Sequence, residues 1–163
     1  MSSAHQSLSA YKPEEIPNAE PYRFGIVVAE WNHEITGALL RGVNDTLLKA
    51  GVKPENLIQL YVPGSFELTA GAALLAKDKS IDAIICLGCV IQGETRHFDF
   101  ICHAVSQGLT QLTVQHCRPF IFGVLTTENQ EQALDRSGGK YGNKGVEAGI
   151  TALKMAALFN GLN

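Results

Sequence analysis

Charge is scarce in this chain. Asp, Glu, Lys and Arg make up 18% of the 163 residues, 13 basic against 16 acidic, for a net charge of −3. No Lys/Arg-rich block occurs, so the basic face that nucleic-acid binding uses is missing and that class is set aside. No run approaches the ~20 apolar residues that span a bilayer. Met1 to Glu20 lacks a basic segment leading into an apolar core, so no secretory leader and a cytoplasmic location are expected. The phosphate-cradling patterns G-x-x-x-x-G-K-[ST] and G-x-G-x-x-G are missing, as is the G-x-S-x-G elbow of many hydrolases. Cysteine is limited to four residues. Cys86 and Cys89 form a C-x-x-C, but no second C-x-x-C or H-x-x-x-H completes a metal site. Both lie inside an apolar strand-like run, where positions three apart point to opposite faces. They are expected to be buried apolar thiols, not a redox or zinc pair.

What is there reads as one globular domain. Hydrophobic residues make up 45% and the mean hydropathy is +0.05. A chain of this length buries roughly 70% of its unfolded surface, and the low charge fraction fits a surface partly covered by other subunits. Residues 1–21 carry Pro13, Pro17, Asn18 and Pro21 without periodicity and read as a flexible or partner-bound N-terminal arm. From residue 22 onward, strand and helix patterns alternate. Strands are expected at 23–29, 57–62, 83–91 and 120–125. Helices are expected at 34–50, 65–77, 95–115 and 129–136, with a last one from an Asn143 cap to about 159. Strands apolar on both faces that alternate with helices imply a parallel sheet covered on both sides. The expected fold class is α/β: a three-layer α/β/α sandwich around a flavodoxin-like four-stranded parallel sheet, with 22–163 as a single domain.

Ligands in such sheets bind beyond the carboxyl ends of the strands. At 82–99 an apolar run stops at Gly93, a polar turn follows, and a helical pattern begins. That places backbone N–H groups and the positive end of a helix dipole together, an anion site with His97 within a turn of it. An imidazole there offers proton transfer near neutral pH. Trp31 and Phe66 are large aromatics in turns, and Ser65 and Glu67 flank Phe66 with hydrogen-bonding groups. As a set they suit a slot for a flat polar heterocycle. Taken singly, each has a structural alternative: Trp31 packing under the first helix, Phe66 as a helix-start staple, Ser65 as an N-cap, Glu67, Glu94 and Asp99 as first-turn charges, His97 as an ordinary surface residue. The stretch 133–145 gathers Arg136, Lys140 and Lys144 around four glycines. It reads either as a phosphate or carbonyl site or as a plain connection between helices.

Val62-Pro-Gly-Ser-Phe-Glu67, the Gly-x-Thr-x-His-Phe-Asp run at 93–99, Phe122-Gly-Val-Leu-Thr-Thr-Glu128 and Gly142-Asn-Lys-Gly145 occur in that order. On these four motifs the chain, from about Tyr22 to its end, resembles the lumazine synthase family of riboflavin biosynthesis. The resemblance implies condensation of 5-amino-6-(D-ribitylamino)uracil with 3,4-dihydroxy-2-butanone 4-phosphate to 6,7-dimethyl-8-ribityllumazine, with loss of phosphate and water. It implies no metal and no organic cofactor. It assigns proton transfer to His97 and pyrimidine contacts to Trp31 and Phe66, with Asn32 close by. Ser65 and Glu67 would serve the ribityl-bearing substrate, and the backbone of Cys89, Val90 and Ile91 its polar edge. Glu94 and Thr95 would cradle the phosphate through N–H groups, and Arg136 would pair with it. Phe122 and Lys144 would complete the pocket. The resemblance also implies homopentamers, with Phe122 and Arg136 reaching across to a neighbour. The compact Gly-Gly-Lys-Tyr-Gly-Asn connector is similar to that of members forming sixty-subunit icosahedral shells. Three positions depart from the family pattern: Glu94 where a small residue is usual, Gln92 where a basic one is frequent, and Thr69 where proline is frequent. Two other functions are weighed: a non-catalytic flavin- or lumazine-binding shell protein, against which His97, Arg136 and Lys144 together argue, and an unrelated phospho-sugar enzyme on this fold, which would not need Trp31 and Phe66 in the loops.

Overall fold

A computed structural model describes residues 18–161. The strands are β1 (Phe24–Ala29), β2 (Leu57–Val62), β3 (Ala83–Ile91) and β4 (Phe120–Thr127). They form one parallel sheet in the order β2-β1-β3-β4. The two central strands are the apolar ones: every residue of β1 and the first seven of β3 are buried, whereas β2 and β4, at the edges, are partly open. Five helices alternate with them: α1 (His33–Lys49), α2 (Leu68–Leu75), α3 (His97–His116), α4 (Gln130–Arg136) and α5 (Lys144–Asn160). A short antiparallel pair, β5 (Ser137–Gly139) and β6 (Gly142–Asn143), joins the last two helices.

Alternation along the strands sends side chains to two separate cores. On one face Phe24, Ile26, Val28, Ile85 and Leu87 meet α1 through Ile35, Leu39, Val43 and Leu47, and α5 through Ala152, Leu153 and Ala156. On the other, Val27, Ala29, Ile84 and Val124 meet Leu68 and Ala72 of α2 and Val105 and Leu109 of α3. Cys89 belongs to the first core and Cys86 to the second, so the two sulfurs point apart. Burial pushes the Cys89 thiol up to about 11 and the Cys86 thiol further in the same direction.

Helix α1 leads from β1 outward to β2, and α3 leads from β3 outward to β4 on the opposite face. The connections therefore diverge between β1 and β3, which opens a crevice beyond their carboxyl ends. This is the three-layer sandwich expected from the pattern.

Local boundaries differ in ways that have causes. The helix expected at 65–77 begins as a 3-10 turn over Ser65–Glu67 and becomes α-helical only over Leu68–Leu75. Ser65 does not cap it, because its hydroxyl is buried against Gly88 of β3. Asn143 does cap α5, its Oδ1 accepting the Gly145 N–H at 2.8 Å. Residues 1–17 of the expected N-terminal arm lie outside the described residues. Its last part is tied down: Ala19 is fully buried and its N–H donates to the Ala50 carbonyl at 3.1 Å. Among the described residues no helix is long and apolar enough to cross a membrane.

Candidate active site

In the turn between β1 and α1, Asn32 takes a left-handed backbone. Its φ is 58° and its ψ 44°, a conformation asparagine tolerates better than most residues. Its carbonyl accepts the N–H groups of Ile35 and Thr36, which starts α1, and its Nδ2 donates to the Cys89 carbonyl at 3.0 Å. One side chain therefore spans the crevice from the β1 loop to the end of β3. The preceding N–H groups of Glu30 and Trp31 donate to the Val62 and Pro63 carbonyls, extending the β1–β2 pairing into the loop. Trp31 is thus fixed at its backbone, yet its side chain is 72% exposed. Packing under α1 is excluded for it. Phe66 is 57% exposed, which excludes a buried helix-start staple. Two bare aromatic faces at a strand edge present stacking surface rather than core.

These rings flank a cavity of about 550 Å³ that also takes in Asn32, Ser65, Glu67 and His97, with the Cys89–Ile91 segment behind. Nine of the fourteen residues expected to act on substrate line it. The Ser65 hydroxyl is buried without a hydrogen-bond partner and packs towards Gly88, where a Cβ would come within 2.7 Å of Oγ. A contact from Ser65 to a ligand therefore comes through its backbone unless the rotamer changes. The Glu67 carboxylate folds back over Gly64. His97 opens α3 at the mouth of the cavity; no side chain caps that end at Arg96, and the His97 N–H meets only Thr95 Oγ1, at 3.4 Å. Glu94 and Thr95 are exposed in the preceding turn and do not line the cavity.

Phe122, Arg136 and Lys144 lie elsewhere. They line a second cavity, about 660 Å³, along β4 between α4 and α5. The two linings share no residue. There the Arg136 Nη1 donates to the Gln132 carbonyl at 3.0 Å, and Lys144 Nζ sits 2.7 Å from Glu147 Oε1. Phe122 is 44% exposed on the edge strand. One chain therefore carries an aromatic slot with an imidazole at one place and a cationic, aromatic edge at another.

Sequence reasoning missed Ile101 in the first cavity and Gln132, Glu147 and Thr151 in the second. Ile101 follows His97 by one helical turn, and Glu147 follows Lys144 at i+3. Both spacings place side chains on a shared helix face and were readable signals.

A parallel α/β sandwich with an open, aromatic-lined crevice at its switch point defines a flavodoxin-like, small-molecule-binding α/β protein. The family narrows the class. The profile of the 6,7-dimethyl-8-ribityllumazine synthase family matches residues 21–160, and the chain belongs to that family. A 6,7-dimethyl-8-ribityllumazine synthase from Cytophaga hutchinsonii is 62% identical to it over 96% of this chain and 98% of its own length. Those of Parabacteroides distasonis (55% identical, covering 95% and 97%) and Porphyromonas gingivalis (54%, covering 97% and 98%) are similar over the same extent. Each of these relatives is named 6,7-dimethyl-8-ribityllumazine synthase, which supports an enzyme over the non-catalytic binding shell.

Proposed function

We propose that this chain condenses 5-amino-6-(D-ribitylamino)uracil with 3,4-dihydroxy-2-butanone 4-phosphate to give 6,7-dimethyl-8-ribityllumazine, phosphate and water, and that it does so in the cytoplasm. Family membership supports the reaction. The observation that carries its placement is that Trp31, Phe66 and His97 line one cavity.

In this reading the pyrimidine stacks between the exposed faces of Trp31 and Phe66. The carbonyl and N–H groups of Cys89, Val90 and Ile91 read its polar edge, and Asn32, already bonded to the Cys89 carbonyl, fixes that strand end. Glu67 receives ribityl hydroxyls. The substrate's free amine attacks the ketone to give a carbinolamine, which loses water to an imine. Loss of a proton from the adjacent carbon expels phosphate and leaves an enol that tautomerises to a ketone. The ribityl-bearing nitrogen adds to that carbonyl and loses a second water, closing the ring. Each stage moves protons, and His97 at the cavity mouth shuttles them. The uncapped N-terminal turn of α3, with the N–H groups of Glu94 and Thr95 before it, receives the phosphate. Arg136 supplies the fixed positive charge.

Arg136, Phe122 and Lys144 line a different cavity from His97 in the same chain, so the reading requires a neighbour to complete each site. The partly exposed edge strand β4, with Phe122 on it, supplies the surface for such an association. We assign a homopentamer with sites between adjacent protomers, and, on the compact 138–143 connector, a sixty-subunit shell.

The test mixes the purified chain with both substrates and follows the absorbance of the lumazine, with sedimentation of the same sample. Lumazine appearing only when both substrates are present supports the reading. Binding of lumazine or flavin without turnover, by a protein that sediments as an assembled particle, supports the binding shell instead.

A further inference from the structure

Arg136 ends α4, and the next residues turn back through the β5–β6 pair. A long cationic side chain at a helix end has many rotamers, and ordering it on a ligand costs affinity. Here it is already ordered at two points. Its Nη1 donates to Gln132, and its Cζ stands 4.9 Å from the centroid of the Tyr141 ring. Tyr141 is itself held, its N–H donating to the Asp135 carbonyl at 2.8 Å and its neighbour Gly142 pairing with Gly139. The same ring carries Lys140 Nζ at 5.3 Å, so a half-exposed aromatic keeps two like charges together, and one of them, Arg136, lines the second cavity. A ring holds a guanidinium through its π face and takes none of the five N–H donors. One donor goes to Gln132, and the fork's other donors are left for an anion.

We propose that Tyr141 is a positioning residue: its ring holds the Arg136 guanidinium with its free donors directed at the phosphate of the four-carbon substrate. The inference rests on the reading of Arg136 as the phosphate partner. Tyr141 acts through Arg136 and touches neither substrate.

The experiment compares wild type, Tyr141→Leu, Tyr141→Phe, Arg136→Ala and the Tyr141→Leu/Arg136→Ala double variant, each as the assembled protein. It measures kcat, the KM for the phosphorylated ketone, and the Ki of inorganic phosphate. Tyr141→Leu is expected to raise that KM and the phosphate Ki about three- to fivefold, the size of an exposed cation–π contact, with little change in kcat. Tyr141→Phe keeps the ring and is expected to match wild type. In the Arg136→Ala background Tyr141→Leu is expected to add nothing, because the two residues act as one unit. An unchanged KM in Tyr141→Leu beside a raised KM in Arg136→Ala overturns the role of Tyr141 alone. So does a double variant whose effects multiply, which marks a merely structural tyrosine. An unchanged KM in Arg136→Ala overturns the phosphate reading, and the role of Tyr141 with it.

Discussion

His97 lines the same cavity as Trp31 and Phe66, and in the proposed reaction the completed site holds both substrates in register. Orientation of that kind is worth up to ~7–11 kcal/mol, whereas a general acid–base contributes ~10²–10⁴-fold. His97→Ala is therefore expected to lower kcat within that smaller range while leaving turnover measurable in a single-turnover assay; an assembled but wholly inactive variant contradicts the ranking. The buried cysteines give a second residue-scale expectation. Burial raises Cys89 from an ordinary 9.0 to about 11, and Cys86 further. The folded chain then keeps protons that the unfolded chain releases above about pH 9. Stability is expected to be insensitive to these groups below pH 9 and to fall as pH rises from there through 11. Thermal midpoints across that range check the sign, and at pH 8 both thiols should resist iodoacetamide until the protein is denatured.

Among the elements, α1 and α5 approach most closely where Gly145 faces α1. A Cβ on Gly145 would fall on the Leu39 backbone carbonyl, which belongs to a helix and cannot swing aside. Gly145→Ala is expected to destabilise the fold by about 1–3 kcal/mol or more, read in denaturant unfolding, as overpacking does. Periodicity made the long elements legible: α3 was expected at 95–115 and runs from His97 to His116, and the buried runs of β1 and β3 identified the sheet. The start of α2 was less legible, since Ser65 looks like an N-cap and the hydroxyl is instead drawn in against Gly88, a long-range contact that no local pattern records. The β5–β6 pair was invisible because segments of three and two residues carry no period. In the site, Trp31 and Phe66 were ambiguous singly and became legible as a set in the loops of one sheet edge. The segment 133–145 stayed undecided because Arg136 and Lys144 do not reach the His97 cavity within one chain.

At the scale of the whole molecule, the separation of the two cavities leads to the proposed sharing of each site between protomers. His97→Ala and Arg136→Ala proteins, dissociated, mixed equally and reassembled, are expected to regain activity, because about a quarter of interfaces then combine an intact His97 with an intact Arg136. No recovery in mixed assemblies contradicts the shared site. The central claim, that Trp31 walls the cavity where the pyrimidine binds, has a direct probe, since Trp31 is the chain's one tryptophan and is largely exposed. Its fluorescence is measured while the ribityl-bearing pyrimidine is titrated into the assembled protein, with inorganic phosphate as the control. The account predicts saturable quenching by the pyrimidine and none by phosphate; tryptophan emission that stays unchanged while lumazine is being made contradicts it.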